Sequence, residues 1–297
     1  MSLFRGISGF PITPCDPQGN VDRDALARVL EPLCDAGLQS IGFLGSTGSY
    51  AYLSADQRRA ALGAAMDCVG GRMPVICGVG ALRTDHAVDL ARDAAAQGAA
   101  GLLLAPVSYT PLTQNEAFTH FSAVAAATDL PICIYNNPST THFQFSHDLL
   151  ARLGALPTIA AVKMPLPASG DFAAEIAALR PRLPSDFVIG YSADWGARPA
   201  LLAGADAFFS VAAGFVPDRF MAMAKPAMAG DADSAAAQDA AFAPMWDLFR
   251  DHGSLRVAHL AAAMLGRADA APQRPILPLP KGETDRVRAA LTALNAL

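Results

Sequence analysis

Residues 159–167 read IAAVKMPLP. Four small or branched apolar residues run into Lys163, and Met164 and a proline follow. A short, unbroken apolar run closed by proline is the pattern of a strand covered on both faces, as in a parallel sheet. Seven further runs of this kind flank it: GISGFPIT (6–13), SIGFLG (40–45), PVICGVG (74–80), AGLLLAP (100–106), PICIYN (131–136), FVIGYS (187–192) and AFFSVA (207–212). They recur roughly every 20–35 residues, the length of a βα unit. Most are continuously apolar rather than alternating.

The intervening segments carry helix signals. VDRDALARVLEPLCDAG (21–37) closes on Gly37, suited to the residue after a helix C-cap. SADQ (54–57) and TQNE (113–116) have the capping-box spacing ahead of apolar-periodic stretches. Thr84 is a candidate cap for DHAVDLARDAAAQG, which ends on Gly98. Eight βα units predict a closed (β/α)8 TIM barrel over residues 1–225, an α/β fold; periodicity alone leaves a doubly wound open sheet as the alternative. Beyond Pro226 the pattern becomes helical. Residues 231–253 and 254–266 read as consecutive helices, and a proline-rich link (272–280) leads to a last helix near 283–296. No Gly/Ser linker separates them, so 226–297 is expected to be a C-terminal helical extension packed on the barrel.

Bulk composition narrows the function. The 297 residues are 52% hydrophobic and 16% charged, with net charge −5 and pI near 5.6. An acidic chain without like-charge runs argues against a nucleic-acid face or an anionic membrane as partner. Five scattered cysteines, with no C-x-x-C, argue against a disulfide framework or a zinc site. The start, MSLFRGISGF, lacks a basic segment followed by a sustained apolar one, which gives the expectation of a soluble cytoplasmic protein.

Lys163 remains to be explained. Only three of the 22 basic residues are lysines: Lys163, Lys225 and Lys281. Arginine keeps its proton in proteins, whereas a desolvated lysine loses it and becomes nucleophilic. The bland reading is a strand-end lysine that snorkels to solvent. Other strand ends decide against it. In a parallel barrel the chemistry sits at the C-terminal ends of the strands. There, Gly45-Ser46-Thr47-Gly48 offers two hydroxyls and a run of amides able to hold a carboxylate, and Tyr135 stands on the strand before Lys163. Amine, phenol and carboxylate cradle together suit imine formation with a 2-keto acid.

At these residues the chain resembles the dihydrodipicolinate synthase / N-acetylneuraminate lyase family of class I, pyruvate-type aldolases. GSTG (45–48), GVG (78–80), YNNP (135–138), VK (162–163), LLAGADAFFSV (201–211) and RPILPL (274–279) occur in the family's order over nearly the whole chain. The resemblance implies a barrel with a helical C-terminal part, a homo-oligomer (dimer or tetramer), and no metal, nucleotide or flavin cofactor. It implies that Lys163 is the Schiff-base lysine, that Tyr135 relays protons, and that Ser46 and Thr47 engage the keto-acid carboxylate. Gly45 and Gly48 frame that turn, and Phe209 walls the pyruvate pocket.

Departures from the family pattern concern the second substrate. Thr140 stands where dihydrodipicolinate synthases usually have a carboxylate-gripping arginine. Val107 and Ser108 stand where they have paired tyrosines, with Tyr109 one step later. Where sialic-acid lyases read Gly-Tyr-Asp-Glu, this chain reads Ser192-Ala193-Asp194-Trp195, and Asp194 alone is expected more as a helix N-cap than as a ligand contact. Ser49 and Met164 replace two customary glutamates. The expectation is therefore a lyase forming an imine between Lys163 and pyruvate or another 2-keto acid, with neither named activity. The alternatives are a non-catalytic keto-acid binder and a genuine dihydrodipicolinate synthase despite Thr140. A metal-dependent barrel hydrolase lacks the His and carboxylate cluster.

Overall fold

The computed structural model describes residues 2–297. Eight parallel strands pair in chain order and close on themselves: β1 Gly6–Gly9, β2 Ser40–Phe43, β3 Val75–Gly78, β4 Gly101–Leu104, β5 Ile132–Tyr135, β6 Ile159–Met164, β7 Val188–Tyr191 and β8 Ala207–Ser210. Because β8 pairs with β1, the open-sheet alternative is excluded. Each strand lies inside one of the eight apolar runs.

The apolar residues divide between two cores, which explains why the runs do not alternate. A small inner core fills the barrel, with Ile76, Leu103, Cys133, Ala161, Val188 and Ala207 among its members. A larger outer core packs the other strand faces, such as Ile41, Ile134 and Val162, against the helices. Both faces of each strand are thus dry.

Among the described residues eight helices, one after each strand, surround the barrel, from Arg23–Asp35 to Pro217–Met228, and a one-turn helix, Pro138–Thr141, precedes the fifth of them. Both capping boxes form, at Ser54/Gln57 and Thr113/Glu116, and Gly37 and Gly98 take the left-handed backbone expected after a helix end. Thr84 is not a cap. The helix begins at Thr84 itself, after Arg83, and the Thr84 hydroxyl instead meets His120 Nδ1 at 3.0 Å; a partner on the next helix competes successfully with the local amide.

The eighth barrel helix, Pro217–Met228, continues through position 226. After it come Ala232–Ala240, Ala243–His252, Ser254–Met264 and Thr284–Ala293. The segment 231–253, expected as one helix, breaks at residues 241–242. Pro244 lacks the N–H that a continuing helix would need and begins a new first turn instead. These helices rest on the barrel mouth: Arg267 Nη1 donates to the Phe215 carbonyl, and Phe249 packs against Phe215.

Candidate active site

Lys163 is only 7% exposed and belongs to the barrel interior. Strand parity alone would not put it there. Ile132 pairs with Ile159, but Cys133 pairs with Ala161, so Ala160 is an extra residue in β6. This irregularity shifts the register by one and sets Lys163 directly beside Tyr135; without it Val162 would occupy that place.

Around the amine stand three aromatic rings. Nζ lies 4.1 Å from the Phe10 ring centroid, 4.8 Å from that of Tyr135 and 5.7 Å from that of Phe209. It makes no hydrogen bond and no salt bridge within 4 Å among the described residues. Burial in this apolar cage lowers the amine's proton affinity from the ordinary lysine value of 10.5, against smaller opposing effects of Tyr135, Cys133 and Asp194. The rings also attract a cation through their faces, but loss of water dominates and the net direction is down.

Missing side chains make room for the cage. A Cβ on Gly42 would sit 2.2 Å from the Phe10 ring and one on Gly45 2.8 Å from it, while one on Gly190 would lie 2.6 Å from Phe209. Gly45 and Gly48 therefore serve the site by lacking a side chain rather than by unusual torsions. The left-handed residues of this loop are Leu44 (φ 54°) and Ser49 (φ 57°), beside the glycines. Gly78, of the GVG motif, is excluded from any replacement in the same way, since its Cβ would fall 1.9 Å from the Leu44 carbonyl oxygen.

The Tyr135 hydroxyl is 3.1 Å from Ser46 Oγ and accepts from Asn137 Nδ2 at 2.9 Å. Asn137 is held in turn by Ser139, whose hydroxyl donates to Asn137 Oδ1 at 2.7 Å. A hydroxyl chain thus runs from the β2 loop to the phenol beside the amine. Thr47 is buried next to Ser46, and among the described residues the amides of Thr47 and Gly48 have no acceptor. Two free amides beside two hydroxyls can bind a carboxylate.

All of this opens into one cavity of about 730 Å³ at the C-terminal ends of the strands. Of the residues expected at the site, Ser46, Thr47, Ser108, Tyr135, Thr140, Lys163 and Phe209 line it; Gly45 and Gly48 stand behind it. Tyr109 does not reach it and is 96% exposed. Asp194 is no helix N-cap. It opens a short 3-10 turn, and its carboxylate crosses to β8, accepting from the Ser210 hydroxyl (2.5 Å) and the amides of Ala212 (2.9 Å) and Val211 (3.2 Å). Phe10, Asn137, Tyr50, Phe249 and Leu255 also border the cavity and were not singled out in the sequence. Phe10, at the same parity as Ser8 on β1, and Asn137, within YNNP, left a trace. The others depend on loop paths and on helix packing.

The family model for the dihydrodipicolinate synthetase family matches residues 3–294 of the chain. The chain belongs to that family. A solved dihydrodipicolinate synthase from Agrobacterium tumefaciens is 53% identical, with a TM-score of 0.97 over 98% of each chain. The 4-hydroxy-tetrahydrodipicolinate synthase of Neisseria meningitidis is 32% identical over 96% of this chain and 97% of its own. A dihydrodipicolinate synthase from Acinetobacter baumannii, solved with pyruvate, is 26% identical, with a TM-score of 0.90 over the full length of both chains. Membership of the dihydrodipicolinate synthetase family makes the protein a class I aldolase-type lyase. No helix among the described residues is long and apolar enough to cross a membrane.

Proposed function

We infer that Lys163 forms an imine with pyruvate or a close 2-keto acid, and that the protein makes or breaks the carbon–carbon bond at C3. One observation carries this reading: a buried amine without a hydrogen-bond partner, flanked by a phenol that is itself tied to the Ser46 hydroxyl. The Ser46–Thr47 turn receives the carboxylate. The neutral amine attacks C2, and the carbonyl oxygen leaves as water with the two amine protons, ferried by the Tyr135 hydroxyl. A further proton makes the imine cationic. Its nitrogen then draws electrons from a C3–H bond in condensation or from C3–C4 in cleavage. This covalent electron sink needs no metal, nucleotide or flavin. The cytoplasm, and a homo-oligomer, complete the reading; exposed Tyr109, Leu82 and Tyr52 on the adjacent loops after β2, β3 and β4 support self-association.

The synthase activity in the relatives' names is a second reading, favoured by the 53% identity to the Agrobacterium protein. Against it, Thr140 occupies the expected arginine position, and among the described residues no arginine lines the cavity. Exchange of the pyruvate methyl protons in D2O, followed by NMR, tests the inferred chemistry without a second substrate. Catalysed exchange that is lost in Lys163→Arg supports it. Pyruvate binding without exchange identifies a non-catalytic binder instead. Direct assay for 4-hydroxy-tetrahydrodipicolinate formation tests the second reading.

A further inference from the structure

We propose that the second half of this cavity selects an uncharged, apolar aldehyde partner, aryl or bulky alkyl, so that the substrate is a 4-hydroxy-2-oxo acid with such a group at C4. This rests on the imine reading above and concerns what lies beyond C3. The mouth of the cavity is walled by Val107, Pro165, Leu166, Trp195, Phe249 and Leu255, contributed by the β4, β6 and β7 loops and by the C-terminal helices. Trp195, half-buried, lines it, with the Arg250 guanidinium 5.9 Å from its ring centroid. Apolar and aromatic walls gain free energy from apolar ligand surface.

Charge argues the same way. Among the described residues Lys163 is the only basic one lining the cavity, and its charge is committed to the imine at C2. The other formal charge is Asp194, whose oxygens already accept three hydrogen bonds. A second carboxylate on the substrate would leave water, find no further cation among the lining residues, with Arg250 lying outside them over the Trp195 ring, and share the cavity with Asp194, a costly arrangement. A polyol fares little better. Of the six serine and threonine hydroxyls lining the mouth, four already donate their proton to protein: Ser108 to Thr110, Ser139 to Asn137, Thr141 to Asn137 and Ser192 to Met164. Among the described residues Thr140 and Ser254 keep theirs free, and the remaining hydroxyls of the mouth are the phenols of Tyr50, which is buried, and Tyr52, so a polyol meets few free partners.

The step balances without a co-reactant. Tyr135, having given its own proton to the imine nitrogen, takes the proton of the C4 hydroxyl; the C3–C4 electrons pass to the cationic imine, and the aldehyde departs. The resulting enamine takes a proton at C3, and water hydrolyses the imine to pyruvate and free Lys163.

The test compares cleavage of 4-hydroxy-2-oxo acids bearing phenyl, carboxyl or trihydroxypropyl at C4, alongside borohydride trapping of pyruvate on the same enzyme. The phenyl compound should exceed each polar analogue in kcat/KM by about 100-fold. Trp195→Ala should cut that ratio about tenfold, with Trp195→Phe retaining it; Leu255→Asn provides a second, independent cut should Trp195→Ala misfold. Thr140→Arg, at an exposed position, should move the ratio toward the carboxyl compound. A pyruvate adduct with no phenyl preference overturns the proposal and leaves the imine reading standing. Absence of the adduct overturns both.

Discussion

Replacing Tyr135 by phenylalanine removes one oxygen and keeps the ring that stands 4.8 Å from the Lys163 amine. The apolar cage therefore survives, and the amine keeps its lowered proton affinity. What goes is the link between Ser46 Oγ (3.1 Å) and Asn137 Nδ2 (2.9 Å). Both former partners are part-buried at a cavity wall, where water replaces one bond readily, so the stability cost is about 1–2 kcal/mol. The catalytic cost is larger. A positioned proton carrier contributes about 10²–10⁴ in rate, or about 2.7–5.4 kcal/mol of barrier. Proton exchange at the pyruvate methyl group is the assay of choice, because it requires passage through imine and enamine but no aldehyde. Tyr135→Phe should slow exchange at least about 100-fold with only a modest fall in thermal midpoint. Exchange within about threefold of the wild type, in a variant of normal stability, would refute the role given to the phenol.

Three further outcomes follow from the same structure. Desolvation lowers the Lys163 pKa below 10.5, so the rate of pyruvate trapping at saturation should rise with pH and level off before 10.5; a rate still climbing there contradicts the cage argument. The unfolded chain binds more protons at Lys163 than the native chain does between the lowered native pKa and 10.5, so the lysine costs stability at neutral pH. Lys163→Met should then abolish exchange yet raise the thermal midpoint, by about 2–4 °C for each kcal/mol recovered. His259 is buried, with Nδ1 donating to the Ala270 carbonyl at 2.7 Å and Nε2 unpartnered, and burial pushes its pKa from 6.5 down to about 4. The unfolded state takes up that proton first on acidification, so stability present above pH 6.5 should fall by roughly 2 kcal/mol between pH 7 and 5, and His259→Gln should flatten that slope in urea titrations.

Much of the barrel was legible because its signals are local. Strands dry on both faces leave continuous apolar runs, and caps at Ser54 and Thr113 act within one helical turn. Lys163 announced itself by being a lysine in such a run. Features that failed to show depend on residues far apart. The extra residue in β6, which turns Lys163 inward, is invisible in IAAVKM because Ala160 and Ala161 are alike. Arg58 looks like a surface residue of its helix, yet it is buried, donating to the carbonyls of Gly78 and Gly80. Asp194 reads as a cap because its partners lie 16–18 residues on, at Ser210, Val211 and Ala212. Thr84 reflects competition between local preference and packing, which propensity alone does not settle, whereas the break at 241–242 follows from Pro244 and was legible locally.

Borohydride reduction in the presence of pyruvate, followed by peptide mass mapping, addresses the central claim most directly. The account predicts a single stable adduct, carrying the mass of one reduced pyruvate, on the peptide containing Lys163, and none in Lys163→Arg. An adduct located at Lys225 or Lys281, or none at any lysine of a protein that binds pyruvate, would contradict it.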